Sequence, residues 1–135
     1  MNLELANKIV DSAIEGAKKM GIPFVVTVCD KEGNIIVTKR MDGALTVSSQ
    51  LSPAKAITAA HFKMNTIDLQ NHEVLSTVFN GWSDKTIFGY AYLGGGRLII
   101  QNNEIIGTIG ASGGSIEEDE AVCIAGINSS VKSVE

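Results

Sequence analysis

FVVTVCDKEGNIIVTKR, residues 24–40, is two runs of apolar and β-branched residues joined by Asp30-Lys31-Glu32-Gly33-Asn34. In the first run Phe24, Val26 and Val28 alternate with Val25, Thr27 and Cys29. In the second, Ile35, Val37 and Lys39 alternate with Ile36, Thr38 and Arg40. A period of two sends successive side chains to opposite faces, and a short polar link containing glycine closes the pair, so the stretch predicts an antiparallel β-hairpin. Upstream, Leu5, Ile9, Ala13 and Ala17 recur every four positions, with Ala6, Val10 and Ile14 beside them. That is the wide apolar stripe of a helix over residues 3–20. Asn2 is its N-cap, Lys18 and Lys19 suit the negative end of its dipole, Gly21 offers a left-handed stop and Pro23 forbids continuation.

Downstream of the hairpin a turn at Met41-Asp42-Gly43 leads to an Ala-rich segment, residues 48–64, which predicts a second helix. Pro53 allows two starts. Either Ser52 caps a helix whose first residue is Pro53, or the helix begins earlier and Pro53 kinks it. Residues 65–84 are polar and aperiodic and predict a short helix from Thr66 followed by a loop. Residues 87–93 and 97–101 read as strands around Gly94-Gly95-Gly96. Asn102-Asn103 then turns into a strand over 104–112, in which Gly107 and Gly110 call for close approach of a neighbouring element. Ser115 with Glu118 three residues later is a capping box, opening a last helix from Ile116 to about Val131. Helix, hairpin, helix, strands, helix is not the strand-helix alternation of a parallel sheet, so the order predicts an α+β fold in which helices cover a mostly antiparallel sheet.

At 135 residues and 14.3 kDa, with 44% hydrophobic and 19% charged residues, the chain fits a single domain over residues 1–135. Eleven basic against 15 acidic side chains give a net charge of −4. Only Lys18-Lys19 and Lys39-Arg40 are adjacent cations, so neither nucleic acid nor an anionic membrane is an expected partner. The apolar runs fall far short of a membrane span, and the early Glu4 is not the start of a secretory signal, so the expected compartment is the cytoplasm. Cys29 and Cys123 have neither metal-ligand nor disulfide spacing and read as buried, reduced thiols.

Ala111-Ser112-Gly113-Gly114-Ser115 lies between a strand and a helix, where backbone amides can cradle a phosphate. The run Glu117-Glu118-Asp119-Glu120 would repel one, which favours a purely structural helix cap. His61 and His72 are the only histidines and lack neighbours at zinc-ligand spacing, so no metal site is expected. Either could serve as an axial ligand to haem iron, against the plainer reading of a surface side chain. Ser112 lies in no nucleophile elbow. Lys55, among Ala54, Ala56 and Ala59, is the kind of sheltered amine used in Schiff-base or base chemistry, or else one half of an ion pair with Asp42 or Glu73. Arg40 and Asp42 flank a turn, where the guanidinium fork could hold a ligand carboxylate or simply pair with Asp42.

Taken together, Arg40-Met41-Asp42-Gly43-Ala44, Lys55-Ala56-Ile57-Thr58-Ala59, Gly94-Gly95-Gly96 and Ile106-Gly107-Thr108-Ile109-Gly110-Ala111-Ser112-Gly113-Gly114 with Glu118-Asp119 resemble the GlcG/HbpS-like family, also called the haem-degrading or PduO C-terminal-like domain. The resemblance covers nearly the whole chain. It implies a profilin-like fold, a central antiparallel sheet with helices on both faces, and a homo-oligomer that is an octamer in some members. It also implies a small-molecule ligand, with haem or a related tetrapyrrole as the candidate cofactor. The sequence departs from members that ligate haem through a first-helix His, because residues 3–20 contain none, and Leu98 and Asn65 stand where the family has proline. The reading that results is a cytoplasmic accessory protein with a ligand pocket built from Arg40, Asp42, Lys55, Thr58, Gly95, Gly96, Ser112 and Gly113 at a subunit interface. A second reading is a small enzyme acting on a hydroxy acid, aldehyde or diol-derived metabolite, with Lys55 or Asp42 as base. A purely structural oligomer is the third.

Overall fold

The computed structural model describes residues 1–73 and 89–131. In chain order these form α1 (Leu3–Met20), β1 (Val25–Asp30), β2 (Ile35–Arg40), α2 (Thr46–Phe62), α3 (Thr66–Asn71), β3 (Gly96–Gln101), β4 (Glu104–Ser112) and α4 (Ile116–Ser130). The strands make one sheet in the order β2-β1-β4-β3, every pair antiparallel. The hairpin predicted from residues 24–40 is β1 and β2, with Val25 opposite Arg40 and Val28 opposite Val37. Helices α1 and α4 pack together over one face of the sheet, and α2 covers the other.

Helix α1 begins where Asn2 Oδ1 accepts the Leu5 amide at 2.8 Å and ends at Gly21 with φ +72°. Its stripe of Ala6, Ile9, Val10, Ala13 and Ala17 is buried against Val26, Val28, Ile109, Ala111, Val122 and Cys123, which form the main core. The face under α2 is different. Thr27, Thr108, Ser52 and Thr58 are fully buried there, and their hydroxyls are tied across the seam: Ser52 Oγ donates to the Gly110 carbonyl at 2.9 Å, and Thr108 Oγ1 to the Ala56 carbonyl at 2.7 Å. The close approach read from Gly110 is real, since a Cβ there would overlap the Ser52 carbonyl oxygen and lie 2.7 Å from the Ala56 nitrogen.

That seam also decides where α2 starts. The helix begins at Thr46, earlier than either residue 48 or residue 53, and Pro53 lies inside it. Ser52 is no N-cap, because its hydroxyl is engaged with Thr27 Oγ1 at 2.9 Å and with Gly110. The strand expected over 87–93 is a second correction. Residues 89–93 are irregular, and 87–88 lie outside the described residues. The amides that a strand would give to a ladder go to side chains instead: Ala91 to Thr58 Oγ1 at 2.9 Å, and, just beyond, Gly94 to Gln70 Oε1 at 2.9 Å. The helix read from Thr66 is present as α3; the loop expected after it reaches residue 84, and 74–84 lie outside the described residues. Asn65 Oδ1 and Thr66 Oγ1 accept the amides of Leu98 and Gly96, both at 2.8 Å, so the start of α3 occupies part of the outer edge of β3. The capping box is formed, with Glu118 Oε1 accepting the Ser115 amide at 2.8 Å.

Cys29 and Cys123 are free and buried as expected, and burial pushes the Cys29 thiol up to about 11. No described helix is long and apolar enough to cross a membrane.

Candidate functional site

Lys55 lies on the buried side of α2, and only 2% of it is exposed. Its small neighbours Ala56 and Ala59 let the helix lie close to the sheet, and the lysine side chain runs past the start of β3 toward the opposite helical layer. There Nζ donates to Asp119 Oδ2 of α4 at 2.7 Å and to the Ala111 carbonyl at 3.1 Å. The two glycines beside it are there for space. A Cβ on Gly96 would overlap the Lys55 carbonyl, and one on Gly95 would sit 2.8 Å from Nζ. The ion pair anticipated for Lys55 therefore forms with Asp119, and neither Asp42 nor Glu73 is its partner. Helix α4 brings an acid closer than any other element does.

Asp119 accepts on its second oxygen the amides of Gly114 at 2.9 Å and Gly113 at 3.2 Å. Burial pushes this carboxyl above its ordinary 3.8, against the opposite pull of the Lys55 ammonium and the two glycine amides. The phosphate-like cradle at the strand-helix junction thus holds an anion already, the chain's own Asp119. Next to it Glu120 accepts the Gly95 amide at 2.7 Å and pairs with Arg97 at 2.5 Å. Ser112 Oγ meets Ser48 Oγ at 3.2 Å, and Thr58 Oγ1 donates to the Ala54 carbonyl at 2.6 Å while accepting the Ala91 amide. Among the described residues no buried side-chain nitrogen or oxygen lacks a partner.

The structure brings Lys55, Thr58, Gly95, Gly96, Ser112 and Gly113 together along one buried seam. It does not bring Arg40 and Asp42 to it. They stand at the end of β2, where they line a groove of about 410 Å³ with Ile14, Lys18, Lys39 and Met41. Arg40 Nη2 donates to the Ala44 carbonyl at 2.7 Å, and no Arg40–Asp42 ion pair forms; Lys39 pairs with Asp11 and Lys18 with Glu15.

His61 and His72 are both exposed. His72 caps the end of α3. His61, in the last turn of α2, has Nδ1 2.7 Å from the Tyr90 hydroxyl and its ring edge-to-face with Tyr90, centroids 5.5 Å apart. Phe62 meets Tyr90 at 5.3 Å and Tyr92 at 6.5 Å extends the group. The other side of the imidazole lies over Gly33, where a Cβ would stand 2.8 Å from Nε2; the positive φ of +92° and this contact together call for glycine. No group of three or more His, Cys, Asp or Glu able to hold a bare metal ion occurs among the described residues.

Sequence reading missed Asp119, Glu120, Arg97 and Tyr90. Asp119 was hidden because an acid in the first turn of a helix is sufficiently explained by the dipole, and its burial depends on a lysine 64 positions away. Tyr90 carried no local signal.

A family model described as haem degrading protein HbpS-like matches residues 1–128. The corrinoid adenosyltransferase PduO of Salmonella typhimurium is 34% identical over 125 residues, covering 90% of this chain and 37% of that protein. The chain thus spans well under half the length of the PduO sequences it matches, the share being 39% for that of Citrobacter freundii. Among solved structures, a PduOC:heme complex is similar with a TM-score of 0.80 and 29% identity, covering 95% of this chain and 93% of that one. A double mutant of Streptomyces reticuli HbpS has a TM-score of 0.84 and 31% identity, covering 96% and 86%.

Proposed function

Because this chain belongs to the HbpS-like family, matched over residues 1–128, we propose that it is a haem-binding accessory protein whose ligand is haem or a closely related tetrapyrrole. The observation that carries this reading is the match to the PduOC:heme complex, which extends over 95% of the chain at a TM-score of 0.80. The residues present fit such a ligand. Haem is a large apolar disc with two carboxylates and an iron that takes axial donors, and it supplies the iron chemistry when bound. The chain offers an exposed imidazole, His61, already oriented by a phenol within a group of aromatic rings, and a second exposed imidazole at His72. Arg40, held by the Ala44 carbonyl, stands at the opposite end of β2 from the Gly33 turn that His61 covers, so it is not part of that group.

In this reading Lys55, Thr58, Gly95, Gly96, Ser112 and Gly113 hold the frame of the site, since their polar groups are engaged with one another and the backbone. We also infer a homo-oligomer, in which Leu45, 69% exposed, and Val47, 52% exposed, are covered by a second copy. The buried reduced thiols suit the cytoplasm. Native mass spectrometry of freshly purified protein tests ligand and assembly together. The expected result is a multiple of 14.3 kDa carrying retained or titratable haem. A bare 14.3 kDa species that takes up no ferric haem would reject the proposal.

A further inference from the structure

We propose that the groove between α1 and the end of β2 is a binding site for a small organic monocarboxylate with an apolar body, anchored by Arg40 and filtered by Asp42. The site stands apart from the haem reading, because it lies at the other end of β2 from the Gly33 turn that His61 covers. Its volume of about 410 Å³ falls within the range of about 300–1,000 Å³ usual for small-molecule sites. Ile14 of α1 and Met41 just beyond β2 are half-buried against the main core and give the groove apolar walls. Lys18, Lys39, Arg40 and Asp42 give it charge.

These charges are not equivalent. Lys18 is paired with Glu15 at 3.2 Å and Lys39 with Asp11 at 2.7 Å, so acids of α1 already meet two of the three cations. Arg40 forms no ion pair among the described residues. Its hydrogen bond from Nη2 to the Ala44 carbonyl at 2.7 Å leaves most of its five N–H donors for a ligand. The same bond holds the guanidinium in place, and the turn it is tied to is itself fixed. The Ala44 amide donates to the Met41 carbonyl at 3.2 Å, the Met41 amide to the Phe24 carbonyl at 2.9 Å, and the Phe24 amide to Met41 Sδ at 3.3 Å. A fork set before the ligand arrives gives up little freedom on binding, and its two parallel N–H groups match a carboxylate. Asp42 places a negative charge on the same groove. It repels a second anionic group and so disfavours dicarboxylates and phosphate. One anchoring fork, one repelling acid and apolar walls together select a single carboxylate with hydrocarbon behind it.

The experiment is an NMR titration of the full chain with hexanoate at neutral pH and physiological salt, read at the methyl of Met41, one of four methionines, and at the amides of Asp42 and Ala44. Succinate, inorganic phosphate and 1-hexanol are the comparison probes. Hexanoate is expected to shift these signals saturably, and each of the others to bind about tenfold more weakly or worse. Arg40→Gln should weaken hexanoate about tenfold or more, and Arg40→Lys, which keeps the charge but not the fork, should not restore it. The amide spectrum confirms folding, and Arg40→Lys reads the same loss should Arg40→Gln not fold. Lys39→Gln should cost less than about threefold, as befits an exposed paired cation. Asp42→Asn should let succinate and phosphate bind nearly as well as hexanoate. No saturable shift in the wild type, hexanoate binding that survives Arg40→Gln, or phosphate bound as tightly as hexanoate by the wild type overturns the proposal and leaves the haem reading untouched.

Discussion

Two single residues make measurable demands on this fold. The Ser115 hydroxyl accepts the Glu118 amide at 3.2 Å, so Ser115→Ala removes a cap and should destabilise the chain by about 0.5 to 2 kcal/mol, read as a lower denaturation midpoint at unchanged slope. At Asp30 slight desolvation raises the carboxyl, but the side chain and amide of Asn34 and the amide of Glu32 outweigh it and hold the group below its ordinary 3.8. A depressed carboxylate stabilises the folded state above its unfolded value, and that contribution disappears as the pH falls through the folded one. The stability gap between wild type and Asp30→Asn should therefore be constant near neutrality and close below pH 3.8 in acid denaturation curves. Local signals of this kind were readable in the sequence: the caps at Asn2 and Ser115, the left-handed stop at Gly21 and the reduced cysteines. The partner of Lys55 was not, because no local pattern marks which distant acid a buried ammonium will meet.

At the scale of elements, the strongly periodic ones were legible and the hydroxyl-rich one was not. Helix α1 and the β1–β2 hairpin separate apolar from polar residues at their own period, and α4 carries a capping box. Helix α2 presents Ser48, Ser52, Lys55 and Thr58 to the interior, so its buried face looks polar and its start stayed open between Ser52-Pro53 and an earlier position, the second of which the structure shows at Thr46. The contact that sets its position is backbone on backbone at Gly110. Gly110→Ala should force α2 off the sheet and destabilise by about 1 to 3 kcal/mol or more, whereas Gly21→Ala meets no steric obstacle and suffers only its strained backbone. Thermal midpoints of the two variants check the order. The glycines at 94–96 and 107–114 are used against the chain's own backbone and side chains, among them those of Cys29, Ser52, Lys55 and Glu118.

At the scale of the whole molecule the two faces of the sheet divide the labour, an apolar core on the α1–α4 side and a hydrogen-bonded seam on the α2 side. Both thiols lie within these layers, and burial raises both, Cys29 to about 11. Native protein should resist iodoacetamide at pH 8 and take up two equivalents once denatured, as counted by mass spectrometry. The family was legible in the glycine-rich segments and the motifs around them, and the fold class in the order of hairpin, strands and helices, while helices on both faces followed only from the resemblance. The geometry of the site was not, since it depends on residues that tertiary packing brings together from α2, residues 89–95 and α4.

The ion pair between Lys55 and Asp119 joins segments 64 residues apart and spans both helical layers around the open start of β3. Such a contact can close only when α2 and α4 are both seated on the sheet, after the loop entropy between them has been spent. It therefore belongs to the last steps of assembly and the first of disassembly, a latch rather than a nucleus. In a chevron analysis Lys55→Met should leave the folding limb nearly where it is and raise the unfolding rate, so that the pair sets how long the native state lasts more than how quickly it is reached.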